Sequence, residues 1–130
     1  QSYRLTAQFE NIGGLKAGAP VSMSGVTIGR VESIGYDMEQ FKAVVTLRID
    51  ARYDAIPDDS DASIFTAGLL GGQYIGLTPG NAEDVFRDGD NVEYVQDAIV
   101  LEKLISKYLF SQAGKDKATE KATEAPATQE

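Results

Sequence analysis

The sequence predicts a mainly β protein: a small β-barrel over residues 1–96, one C-terminal amphipathic α-helix over 97–114, and a disordered tail over 115–130. Three observations carry this reading. Apolar residues alternate with polar ones in several short runs, the period of half-buried strands. Clusters of Gly, Pro, Asn and Asp interrupt those runs at near-regular spacing. Towards the C-terminus the apolar period lengthens to that of a helix.

The strand signals come first along the chain. Tyr3, Leu5, Ala7 and Phe9 alternate with polar residues, as do Ala43, Val45, Leu47 and Ile49. Val21 and Met23 form a shorter run closed by Ser24-Gly25, and Val26, Ile28 and Val31 follow. Further strands are predicted at Ala62–Thr66, Gln73–Thr78 and Asn91–Val95. Asn11-Ile12-Gly13-Gly14, Pro57-Asp58-Asp59, Thr78-Pro79-Gly80 and Asp88-Gly89-Asp90 supply the turns. Short strands with many glycines favour a small barrel or sandwich over a parallel sheet.

In the helical segment, Asp97 is the candidate N-cap and Gly114 the candidate left-handed C-cap. Leu101, Leu104, Ile105, Tyr108 and Leu109 fall on one stripe, widened by Val100, while Glu102, Lys103 and Lys107 occupy the other side. Lys115 to Glu130 contains no large apolar residue and repeats a Lys-Ala-Thr-Glu unit, so it cannot offset the entropy of ordering. Lys115, Lys117 and Lys121 stand there against Asp116, Glu120, Glu124 and Glu130. The tail thus carries only −1 of the net charge of −8, and the acidity belongs to the remainder.

Composition excludes much chemistry. The 130 residues contain neither Cys nor His, which removes disulfides, thiolate or imidazole metal sites, and nucleophilic triads built on His. A net charge of −8 opposes counterion-release contacts with nucleic acid. No run approaches the roughly 20 apolar residues of a membrane span. The chain opens Gln1-Ser2-Tyr3, almost directly in a strand pattern, so we expect a processed or truncated chain whose anchor lies upstream.

Several motifs have ordinary explanations. Gly68-Leu69-Leu70-Gly71-Gly72 lacks the Lys-Ser/Thr ending of a phosphate loop, and a strand follows it rather than a helix. Asp58, Asp59 and Asp61, like Asp88 and Asp90, lack the calcium-loop spacing and suit turns. No metal, cofactor or catalytic residue is expected. Two features are harder to dismiss. Leu69 and Leu70 sit between glycines where a lone barrel should carry polar residues; either they tuck into the core or they meet another surface. The helix stripe either docks on the barrel or pairs with copies of itself.

Taken in order, these segments resemble the MCE family. The resemblance rests on Phe9-Glu10-Asn11-Ile12-Gly13-Gly14-Leu15-Lys16, Gly18-Ala19-Pro20-Val21 and Gly25-Val26-Thr27-Ile28-Gly29-Arg30-Val31. Ile56-Pro57-Asp58, Gly68-Leu69-Leu70-Gly71, Tyr74, Pro79-Gly80 and Asp88-Gly89-Asp90 continue it, and Val100-Leu101-Glu102 with Leu104-Ile105 resemble the helix that follows the domain. Gly72 departs from it, standing where a Glu or similar polar residue is expected, and Asn81–Arg87 is short.

The resemblance implies a non-enzymatic lipid-transport subunit on the periplasmic side of the Gram-negative inner membrane, held there by an N-terminal anchor. It implies a homo-oligomeric ring, hexameric in the family, with a hydrophobic pore. Phospholipid would pass between an ABC permease with its ATPase and a soluble periplasmic lipid carrier, maintaining outer-membrane lipid asymmetry. Leu69 and Leu70 would line the pore, and Gly68, Gly71 and Gly72 would act as loop hinges. Val100, Leu101, Leu104, Ile105, Tyr108 and Leu109 would form the helix face that joins its symmetry mates.

The physics suits that task. Hydrating an acyl chain of about fifteen carbons costs about 12 kcal/mol at ~0.8 kcal/mol per methylene. A ring of leucines offers a dry, non-directional surface on which such a chain slides. The competing readings are a monomeric β-barrel module binding a peptide or glycan, and a hydrolase using paired carboxylates.

Overall fold

A computed structural model describes residues 1–68 and 71–98; Leu69, Leu70, the predicted helix beyond Asp97 and Ala98, and the predicted tail lie outside the described residues. Eight strands form among the described residues: β1 (Ser2–Phe9), β2 (Pro20–Met23), β3 (Val26–Asp37), β4 (Lys42–Asp50), β5 (Asp61–Thr66), β6 (Gln73–Thr78), β7 (Asn91–Val92) and β8 (Tyr94–Gln96). No helix forms among them. They make one sheet in the order β7-β1-β4-β3-β2-β6-β5-β8.

The period-2 pattern becomes an inside and an outside. Leu5, Ala7 and Phe9 of β1 and Val45, Leu47 and Ile49 of β4 are fully buried. The strands pair antiparallel in one unbroken register from Ser2↔Asp50 to Phe9↔Ala43. Val21, Ile28, Val31, Ala62, Ile64, Ile75 and Leu77 complete the interior from the other strands. Arg4, Thr6 and Gln8 occupy the alternate, outward positions.

Turn chemistry fixes the connections. Ser24 and Gly25 both have positive φ, at 51° and 83°, and link the paired residues Met23 and Val26 in a two-residue hairpin loop. That geometry matches the strand twist. Val26 itself points out and is exposed. β3 runs to Asp37, further than its apolar residues alone predict, and forms a second hairpin with β4. There the Asp37 carboxylate accepts hydrogen bonds from the Glu39 and Gln40 N–H groups, and Phe41 N–H donates to the Asp37 carbonyl at 2.7 Å.

One extra residue, Glu32, bulges from β3 between the pairs Val31↔Leu47 and Ser33↔Thr46. Its carboxylate lies 2.9 Å from the Arg4 Nε and 3.9 Å from Arg48. Arg4 stands opposite Arg48, which stands opposite Arg30, so three guanidinium groups cross the outer face of β1, β4 and β3. Like charges so placed repel, and the bulged carboxylate offsets part of that.

The predicted run Asn91–Val95 divides at Glu93. Its first part pairs parallel with β1 and its second with β5, so one segment joins the two edges of the sheet. β2 and β6 form a third parallel pair, a departure from the mostly hairpin architecture the spacing suggests. Each parallel pair joins strands separated in sequence by other strands, which leaves chain enough for the crossover.

The strand directions define two poles. One bears Gln1, the Ser24-Gly25 turn and residues 51–53. The other bears the β3–β4 tip, the β5–β6 loop and Ala98, whose N–H donates to the Asn11 carbonyl at 3.1 Å. Near the first pole, Asp59 latches the chain after β6: its carboxylate accepts from Asn81 and Ala82 N–H, both at 2.9 Å. Gly80 is required there, since a Cβ would lie 2.0 Å from the Asp59 Oδ1.

The donated bonds from Ala82 and Asn81 hold the Asp59 carboxyl below its ordinary value of 3.8. A depressed folded-state pKa contributes stability above the unfolded value, and that contribution disappears as pH falls through the folded one. Asp59→Asn is expected to lower Tm at pH 7, with the gap to the wild type narrowing as pH drops below about 4. Thermal melts across pH 2.5–7 measure this; a gap that is constant with pH would contradict it.

Candidate functional site

The β5–β6 loop is built to hold its shape at the base. Ala67 N–H donates to the Gly72 carbonyl at 2.9 Å, closing the loop around residues 68–71. Gly68 has φ +73°, a conformation that L side chains rarely adopt. At Gly71 a Cβ would lie 1.6 Å from the Ala67 carbonyl oxygen, so no side chain fits. Gly72 differs: nothing lies within 4 Å of its Cβ position and its φ is not positive. A larger residue fits at Gly72 without strain, which accommodates the polar residue the resemblance anticipates there.

Gln73, the first residue of β6, ties this loop to its neighbour. Its Oε1 accepts the Gly14 N–H, and its Nε2 donates to the Thr66 Oγ1 at 3.3 Å. Gly13, at φ +59°, lies so close that a Cβ would be 2.7 Å from the Gln73 Oε1 and 3.0 Å from the Ala98 Cβ. The Asn11–Gly14 turn therefore brings together the root of the β5–β6 loop and the residue at which the described chain ends. Asp97, the candidate N-cap, has its carboxylate engaged with the Glu10 N–H at 2.9 Å.

Leu69 and Leu70 lie outside the described residues, as do Val100, Leu101, Leu104, Ile105, Tyr108 and Leu109. The structure adds a pair to which the sequence reading gave no role at the site. Phe65 and Tyr74 are paired across β5 and β6 at the foot of the loop, with ring centroids 5.7 Å apart. The Phe65 ring lies over Gly76, where a Cβ would come within 2.6 Å of it. Both aromatics occupy outward positions of the alternating pattern, a signal that strand phase alone could have revealed.

Carboxylates gather elsewhere. A cleft of about 500 Å³ is lined by Asp58, Asp59, Asp90 and Glu93 with Phe86 and Tyr94. Asp59 is spent on the Asn81 and Ala82 N–H groups, and Asp90 accepts from Arg87 N–H at 2.9 Å. The N–H donors keep the Asp59 carboxyl below its ordinary value, which suits it poorly to act as a general acid. Among the described residues no group of three or more acidic side chains could hold a metal ion. No described helix is long and apolar enough to cross a membrane.

The loop geometry yields a contrast between neighbouring glycines. Gly71→Ala must displace backbone and is expected to cost about 1–3 kcal/mol, whereas Gly72→Ala should stay within about 0.5 kcal/mol of the parent. Chemical denaturation of the two variants compares them directly; equal stabilities would show the loop base to be built differently.

Comparison with known proteins agrees with this architecture. The family model described as MlaD protein matches residues 1–80. The intermembrane phospholipid transport system binding protein MlaD of Escherichia coli K12 is 45% identical over 120 residues, covering 88% of this chain and 66% of that protein. The protein of the same name from Haemophilus influenzae is 41% identical over 119 residues, covering 89% and 71%. This chain thus spans just under two thirds of the E. coli relative. Among solved structures, a chain of the Acinetobacter MlaFEDB complex in an ATP-bound conformation superposes with a TM-score of 0.76 at 30% identity, covering 83% of this chain and 81% of that one. The family-model match over residues 1–80, with relatives at 41–45% identity over most of the chain, places the chain in the MlaD family of MCE-domain proteins.

Proposed function

We propose that this chain is the MCE-domain subunit of a phospholipid transporter and is not an enzyme. Family membership supports the reading: its relatives are named as binding proteins of an intermembrane phospholipid transport system, and the structural neighbour is a chain of an MlaFEDB assembly. In this reading residues 1–96 form the barrel domain, 97–114 a helix, and 115–130 a solvated tail. Six copies form a ring on the periplasmic side of the inner membrane, over an ABC permease and its ATPase. The ring exchanges phospholipid with a soluble carrier.

The observation that carries the residue assignment is the loop frame. In the sequence two adjacent leucines stand between Gly68, whose φ is +73°, and Gly71, where a Cβ would meet the Ala67 carbonyl oxygen. Repeated around an axis, Leu69 and Leu70 give acyl chains a dry surface in place of water. Gly68, Gly71 and Gly72 let that lining approach the axis closely. The face Val100, Leu101, Leu104, Ile105, Tyr108 and Leu109 packs against its copies and continues the apolar passage.

Leu70→Asp places repeated like charges around a narrow apolar channel, a costly arrangement. The variant is expected to lose phospholipid transfer between membrane vesicles and carrier while its native mass remains that of the ring. Full transfer activity in that variant would refute the pore assignment. Leu104→Asn combined with Ile105→Asn should weaken the assembly, seen as a smaller species in sedimentation velocity. An unchanged sedimentation coefficient would remove the helix from the interface.

A further inference from the structure

The β5–β6 hairpin outruns its neighbours in the sheet. β8 pairs with β5 as far as Ser63, and β2 pairs with β6 at Ile75 and Gly76. The last two rungs of the hairpin, Phe65↔Tyr74 and Thr66↔Gln73, lie beyond both pairings. After them come residues 67–72, which carry Leu69 and Leu70 in the sequence. The bond from the Ala67 N–H to the Gly72 carbonyl joins two ends of this loop to each other. It fixes the shape of the loop base, not the lean of the loop against the barrel. A two-stranded ribbon without further partners is weakly held, so the lean needs another support.

Gln73 supplies it. Among the described residues, the side-chain hydrogen bond that joins these two rungs to another part of the barrel runs from the Gly14 N–H to the Gln73 Oε1. The same amide is braced across the last rung, where its Nε2 donates to the Thr66 Oγ1 at 3.3 Å. The donor side is itself built. Asn11 Oδ1 accepts the Gly13 N–H at 2.8 Å, and Leu15 N–H donates to the Ile12 carbonyl at 3.1 Å. Leu15 is buried in the core and Ile12 packs against it. An Asx turn at one end and a core anchor at the other therefore aim the Gly14 N–H in one direction. Room for the amide is kept by Gly13, where a Cβ would lie 2.7 Å from the Gln73 Oε1.

We propose that Gln73 is the positioning residue of the leucine loop: its amide, held by Gly14, sets the lean of that loop, and phospholipid passage depends on it. The assignment rests on the leucine-lined pore proposed above and names what aims the lining. Gln73 touches no lipid in this reading; it acts through the loop that follows from the preceding rung. Losing one net hydrogen bond changes the weight of the held pose about fivefold. Transfer falls with the fraction of loops in that pose, because only they present the lining.

Gln73→Met, Gln73→Ala, Gln73→Glu and Leu70→Asp are made in the full chain and compared with the wild type. Met and Ala remove the bond, one keeping the side-chain length and the other adding no bulk. Glu keeps an oxygen for the Gly14 N–H and turns its second oxygen to the Thr66 hydroxyl. Phospholipid transfer is followed from vesicles of phosphatidylethanolamine and phosphatidylglycerol to the soluble carrier, and hydrogen–deuterium exchange is followed across the chain. Gln73→Met and Gln73→Ala are expected to slow transfer about fivefold and to speed exchange in residues 67–72 while β1 and β4 keep theirs. Gln73→Glu should restore both. Exchange that rises equally in β1 and β4, or stays unchanged in 67–72, overturns the assignment. Transfer that is lost in Leu70→Asp yet unchanged in Gln73→Met and Gln73→Ala removes Gln73 and leaves the pore standing. Full transfer by Leu70→Asp overturns the pore reading and this role with it.

Discussion

Everything in the described molecule depends on one short segment that pairs on both of its sides. Asn91 and Val92 add to β1, the chain turns at Glu93, and Tyr94 to Gln96 add to β5. Without it the sheet would end in two open edges, each with a row of unpaired N–H and C=O groups. With it, the interior of Leu5, Phe9, Leu47, Ile49 and Ile75 is enclosed, and the edges are consumed in one stroke. The same segment sets where Asp97 and Ala98 emerge, because they follow Gln96 directly and bond to Glu10 and Asn11.

Closure also explains the crowded pole. β1 delivers Asn11–Gly14 to that end, β5 and β6 deliver the leucine loop, and β8 delivers Ala98. Gly13 lies in contact with both Gln73 and Ala98, so a residue with a side chain there would press on both. Clearance therefore accounts for Gly13. Among the aspartates, Asp59 has an ordinary turn role, its oxygens accepting the Asn81 and Ala82 N–H groups.

Much of the barrel was legible because its rules are local. Alternation in Tyr3–Phe9 and Ala43–Ile49 announces which side is buried, and Ser24-Gly25 announces a tight hairpin. The split at Glu93 was not legible, because parallel partners far along the chain decide it and no residue near 93 signals it. The bulge at Glu32 was equally silent: it shows only in the cross-strand register, which also sets Arg4, Arg48 and Arg30 in a row beside it. The exposure of Met38 and Phe41 at the β3–β4 tip was missed since an apolar residue in a short turn looks in sequence like the end of a strand. For the loop, sequence identified the glycines, but only geometry distinguishes Gly71, which excludes any side chain, from Gly72, which does not.

The opposed poles carry a mechanical consequence. Gln1 and Ala98 lie at opposite ends of a sheet whose first strand has eight residues, which at ~3.3 Å per residue and a barrel-like tilt is roughly 20 Å tall. The barrel holds these two residues apart as a rigid spacer. A pull between them loads the β1–β4 ladder lengthwise, in shear, where all its bonds resist together.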